Sequence, residues 1–167
     1  CVGGGSSAYG FWSEFIDFNK KQIELIGVEA GGPTKSRLHA APLSKGAKLG
    51  ILHGAAAYCC QDEEGQINKT ESISAGLDYP SVSPIHCFLK DSKRARYTYA
   101  TDEEALRAYQ IVTKFEDLNP SLEPSHAFAE AIKIAPNLNK ETIIVVNSCG
   151  DAKKDRDILR ERLVKKK

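Results

Sequence analysis

The chain has 167 residues, 41% of them hydrophobic and 27% charged, with a formal net charge of +1. This is the composition of an ordinary globular domain, long enough to bury roughly two-thirds of its unfolded surface. It excludes an electrostatic affinity for nucleic acid, and no apolar run approaches the roughly eighteen residues of a membrane span. The cysteines Cys1, Cys59, Cys60, Cys87 and Cys149 are odd in number and lack C-x-x-C spacing. That usage fits reduced thiols in a cytoplasm-like compartment. His39, His53, His86 and His126 show no metal-ligand spacing, so a structural zinc is not expected.

The run Cys1 to Gly10 reads as a strand end, a glycine-rich turn and a helix start. Gly3, Gly4 and Gly5 free the backbone for positive φ and let amide hydrogens approach a ligand. Ser6 and Ser7 add hydroxyls and N-cap chemistry at the positive end of the helix. A phosphate is the natural guest of such a junction. The pattern is neither G-x-G-x-x-G nor a P-loop, and on its own it fits a plain flexible turn equally well. Only Cys1 and Val2 precede the glycines, fewer than the roughly five residues of a usual strand, and the chain contains no Met. The first residue therefore reads as a cut point in a longer polypeptide.

Further along, a helix is expected from near Ser7, with Phe11, Trp12, Phe15, Ile16 and Phe18 on its apolar face, and Ile23 to Val28 follow as a strand. That order implies a βαβ unit and a parallel sheet. Residues 31–76 are rich in glycine, proline and small side chains and form a long excursion of the kind that often carries function. Thr101-Asp102-Glu103-Glu104 is a capping box, placing a helix start near Asp102 with Ala105, Leu106, Tyr109, Ile111 and Val112 facing inward. Glu123-Pro124-Ser125 opens another helix. The β-branched run Thr142 to Val146 reads as a strand buried on both faces, with Asn147 to Gly150 as the loop at its carboxyl end, where open α/β sheets hold ligands. A charged helix from Asp155 to Val164 and a solvated Lys165-Lys166-Lys167 tail close the chain. The expected fold is a single α/β domain of three layers around a mainly parallel sheet.

Several blocks, in one order, resemble a known family. They are Cys1-Val2-Gly3-Gly4-Gly5-Ser6, Leu25-Ile26-Gly27-Val28-Glu29, Leu52-His53-Gly54, residues 61–67, Ser72-Ile73-Ser74-Ala75-Gly76-Leu77-Asp78-Tyr79-Pro80, residues 101–106 and Leu122-Glu123-Pro124-Ser125-His126-Ala127. The sequence resembles the carboxyl-terminal portion of the tryptophan synthase β chain, a pyridoxal phosphate enzyme of fold type II. The resemblance implies β-replacement of the L-serine hydroxyl by indole to give L-tryptophan, with an α chain and a second β chain as partners in the intact enzyme, located in the cytoplasm or, in a plant-type source, the plastid. It also implies roles for single residues. Gly3, Gly4, Gly5, Ser6 and Ser7 would hold the cofactor phosphate, Gly76 would approach the ring, and Cys149 would face the pyridine nitrogen. Glu123 would be the proton-handling carboxylate and Asp78 would order a closing loop. Carbonyls of Gly3, Tyr79 and Ser81 would coordinate a monovalent cation, Na or K, and Leu52 and His53 would line the indole passage.

Without the resemblance, Glu123 reads as a first-turn acid favoured by the helix dipole and Asp78 as a turn former. His126 reads as a packed helical histidine. The chain departs from the family pattern where Ser7 replaces an Asn and Cys149 replaces a Ser, in Gly150-Asp151-Ala152-Lys153, and in Ser83-Pro84-Ile85-His86. The family's Schiff-base lysine belongs to an amino-terminal half that these residues do not resemble, so this chain alone is expected to be inactive. A noncatalytic phosphate-binding module and another β-eliminating or β-replacing amino-acid enzyme are the competing readings.

Overall fold

The computed structural model describes residues 1–164, so the expected Lys165–Lys167 tail lies outside the described residues. The elements run α1 (Ser6–Trp12), β1 (Leu25–Ala30), β2 (Lys48–Leu52), β3 (Ala55–Cys59), α2 (Pro84–Asp91), β4 (Ala95–Ala100), α3 (Asp102–Glu116), α4 (Leu122–Ile134) and α5 (Arg156–Val164). β1 and β4 pair in parallel, from Leu25 beside Ala95 to Ala30 beside Ala100. β2 and β3 form an antiparallel hairpin within the long excursion. Its two-residue turn, His53 and Gly54, has positive φ at both positions, 49° and 77°, the geometry that matches the twist of paired strands.

Alternation along β4 separates the layers, because successive side chains point to opposite faces. Ala95 and Tyr97 join a core with Val2, Trp12, Leu25 and Leu89, which brings α1 and α2 to one side. Between them Arg96 points the other way and pairs with Glu130 of α4 at 3.3 Å. Helices therefore cover both faces of the parallel pair, in the expected three-layer order. α3 packs along α4, and a second core of Ile73, Leu122, Ala152 and Leu159 joins them to α5.

Local signals explain several boundaries. Thr101 Oγ1 accepts the Glu104 N–H at 3.3 Å while Glu104 Oε2 accepts the Thr101 N–H at 2.8 Å, so the capping box forms as written. Near the end of β1 a buried carboxylate, Glu29, pins the excursion. Glu29 Oε1 accepts from Leu43 N–H at 3.0 Å, and its Oε2 accepts from the Ser44 N–H and hydroxyl at 2.7 and 2.6 Å. Burial pushes the Glu29 carboxyl up to about 7 despite these bonds.

Three expectations are corrected. α1 starts at Ser6, as expected, but stops at Trp12, so only Trp12 of the expected apolar face is buried, while Phe11, Phe15 and Phe18 are exposed. The N-cap is Gly5, with no side-chain cap bond, so the serines sit inside the first turn and do not cap it. The run Thr142 to Val146 is not a strand, and Ile143 and Val145 are 85% and 70% exposed. A strand buried on both faces requires a hydrogen-bonding neighbour and a layer on each side, and none of the described residues supplies them to this segment.

Candidate functional site

The glycine loop is shaped by its carbonyls. Ser83 N–H donates to Gly4 O at 2.9 Å, and the imidazole of His86 bonds Gly5 O at 2.8 Å through Nε2. A carbonyl only accepts, so Nε2 carries the proton, and Nδ1 is left to accept from the Tyr97 hydroxyl at 2.8 Å. Burial lowers the His86 pKa, in keeping with this neutral tautomer. Every peptide here is trans, and in a planar trans peptide the N–H points opposite to the C=O. The amides of Gly5 and Ser6 are thereby aimed away from Ser83 and His86, at the amino end of α1.

Two glycines of the loop admit no side chain. Gly5 has φ +99°, and a Cβ built there would stand 2.2 Å from the His86 ring. A Cβ on Gly3 would stand 2.5 Å from the carbonyl oxygen of Gly76. The second of these near-contacts brings residues 72–80 against the loop, and with them a carboxylate. Gly76 N–H donates to Glu123 Oε1 at 3.0 Å, and Lys154 Nζ lies 2.6 Å from the same oxygen.

Glu123 sits in the first turn of α4. Burial works to raise its pKa, yet the bond from Lys154, assisted by the hydroxyls of Ser121 and Ser74, holds it down at about 2. Its other oxygen, Oε2, is buried without a well-formed hydrogen bond, although those hydroxyls lie near enough to favour the charged form. Lys154 also reaches Asp155 Oδ1 at 3.2 Å, while Asp155 Oδ2 accepts the Leu122 N–H at 2.8 Å and so ties α5 to the start of α4. His126, one turn on, donates from Nδ1 to Leu122 O at 2.8 Å. Its complete burial pushes its pKa down to about 4 and favours the neutral, packed form.

A cleft of about 430 Å³ opens between the glycine loop and the β2–β3 turn, lined by Gly4, Leu52, His53, Gly76, Tyr79 and Ser83 among others. At its rim His53 Nδ1 and the Tyr79 hydroxyl are 2.8 Å apart with their rings stacked. Ser81 also lines it and is buried, its hydroxyl donating to Tyr58 O at 3.2 Å. Asp78 is exposed on the turn that follows Gly76. The loop 147–150 lies against the start of the chain, where Asn147 Nδ2 donates to Ser7 Oγ at 3.4 Å and Cys149 Sγ lies 3.7 Å from Cys1 Sγ.

The chain thus brings together Gly3, Gly4, Gly5, Ser6, Ser7, Gly76, Glu123 and Cys149, with Tyr79 and Ser81 alongside. His86, Tyr97 and Lys154 are additions that motif reading missed. The donor set suits a phosphate-bearing ligand: outward amides at a helix start, two exposed serines and an open face over Gly4, where a Cβ would meet nothing. Among the described residues no cluster of His, Cys, Asp and Glu fits a metal ion, and no helix is long and apolar enough to cross a membrane.

No family model matches the chain. Over 156 residues, 93% of its length, it is 49% identical to the tryptophan synthase beta chain of Chromobacterium violaceum. It is 52% identical over the same share to tryptophan synthase beta chain 1 of Chlamydia caviae. The chain spans 38% and 37% of the length of these two relatives.

Proposed function

Because this chain is related in sequence to the carboxyl-terminal portion of the tryptophan synthase β chains, we propose that it forms the cofactor-phosphate wall of such an enzyme, which replaces the β-hydroxyl of L-serine with indole. The observation that carries the reading is the convergence on Gly76. Its carbonyl meets the glycine loop and its amide holds Glu123, so the loop and an ionised carboxylate are held against one residue. Pyridoxal phosphate, when bound, supplies the electron sink that chemistry at an amino-acid β-carbon needs.

In this proposal the amides of Gly3, Gly4, Gly5 and Ser6 and the hydroxyls of Ser6 and Ser7 bind the phosphate. Gly76 lends its bare backbone to the ring, and Cys149 presents a thiol toward the ring nitrogen. Glu123, kept charged by Lys154, stabilises positive charge and exchanges protons with the reacting amino acid and indole. Carbonyls of Gly3, Tyr79 and Ser81 hold a monovalent cation. Leu52 and His53 line the approach for indole, and Asp78 orders the turn over the cleft. The lysine that binds the cofactor covalently, the opposite cleft wall and the surface for an α chain belong to the remaining length of the polypeptide. The enzyme works in the cytoplasm, paired with a second β chain.

Borohydride reduction of the protein with pyridoxal phosphate, followed by peptide mapping, tests this assignment. In the full-length polypeptide one lysine outside residues 1–167 becomes fully modified, whereas the present chain alone shows only scattered labelling. A single fully modified lysine within residues 1–167 would overturn it.

A further inference from the structure

Cys1 and Cys149 are 148 residues apart in sequence, yet their sulfur atoms are 3.7 Å apart. Both positions are held by their neighbours. Val2 N–H donates to Val28 O at 2.8 Å and so fixes the residue after Cys1 against β1. The loop carrying Cys149 is tied at both ends, by Asn147 to Ser7 and by Gly150 O, which accepts the Ser121 N–H at 2.9 Å. Between those ties Cys149 is exposed on irregular backbone. We infer that Cys1 and Cys149 form a reversible disulfide, a modification site that links the start of the glycine loop to the loop 147–150.

A disulfide has sulfurs about 2.0 Å apart, so the pair must close by about 1.7 Å. Closing it requires side-chain rotation at Cys1 and Cys149 and a small shift of the backbone between the loop's two ties. The other cysteines, Cys59, Cys60 and Cys87, are buried, and burial suppresses thiolate formation and attack. The co-reactant is a small disulfide such as oxidised glutathione. Cys149, the exposed thiol, loses its proton to solvent and attacks one glutathione sulfur, breaking that S–S bond and releasing one glutathione thiolate. Cys1, deprotonated in turn, attacks Cys149 Sγ and releases the second glutathione thiolate. Two protein thiols are oxidised and one glutathione disulfide is reduced to two thiols, and excess reduced glutathione reverses both steps. Reversible bridges of this kind fit a reducing compartment, where disulfides are transient. The inference goes beyond the catalytic reading and concerns the cofactor-free protein, since the proposed function turns the same Cys149 thiol toward the ring nitrogen.

The test uses the reduced full-length protein, equilibrated under native conditions with oxidised and reduced glutathione, then alkylated and digested without reductant. The expected product, in the majority of molecules, is a linked peptide pair containing Cys1 and Cys149 with the mass of the two peptides less two hydrogens. Dithiothreitol should reverse it, and Cys59, Cys60 and Cys87 should alkylate only after denaturation. In Cys1→Ser, glutathione should remain on Cys149. If that variant fails to fold, the map of the unsubstituted protein still decides. Glutathione persisting on Cys149 of the unsubstituted protein, Cys149 joined to any other cysteine, or two unmodified thiols after equilibration would each overturn the inference.

Discussion

Lys154 and Glu123 show how a single contact sets a charge state. Glu123 is largely shielded, with a side chain 12% exposed, and burial alone would favour its neutral form. The 2.6 Å contact with Lys154 reverses that preference and brings the carboxyl down to about 2, against an ordinary 4.5. A carboxyl depressed on folding contributes stability that is present above the unfolded pKa and disappears as pH falls through the folded one. For Glu123 that loss runs from pH 4.5 down to about 2. Substituting Lys154→Met should raise the titration midpoint of Glu123, read by carbon NMR of the labelled carboxyl. An unchanged midpoint would show that Ser74, Ser121 and the helix terminus suffice without the lysine.

Among the elements, α3 offers the cleanest test of local coding. Its capping box satisfies amide groups at both Thr101 and Glu104, and loss of such a cap costs about 1 kcal/mol. Thr101→Ala should therefore lower stability by about that amount in urea unfolding with an unchanged slope. A change near zero would mean that the packing of Ala105, Ala108 and Val112, not the cap, fixes this end of the helix. Features this local were legible in the sequence: the capping box, the glycine turn and the start of α4 all follow from neighbouring residues. The His86 to Gly5 bond spans 81 residues and the Lys154 to Glu123 contact 31, and no periodicity encodes such pairs. The Thr142 to Val146 run was misread for a related reason. A β-branched stretch records a preference for a sheet, but strand formation needs a neighbouring backbone, and none of the described residues provides one. At α1 the apolar periodicity of Phe11, Phe15 and Phe18 overran a helix that ends at Trp12.

At the scale of the molecule, helices on both faces of the β1–β4 pair hold the glycine loop while residues 72–80 and the start of α4 close against it. Ile143 and Val145 are exposed, and the cleft is open beyond Gly4 and His53. The relatives supply the scale, since each is more than twice as long as this chain. The most direct test of the proposed function is tryptophan formation from L-serine, indole and pyridoxal phosphate, measured for this chain alone and for the full-length polypeptide that contains it. The account predicts no tryptophan from the chain alone and sustained formation from the full-length protein. Tryptophan produced by the chain alone would contradict the division of the site, and none from the full-length protein would favour a phosphate-binding relative that has lost the reaction.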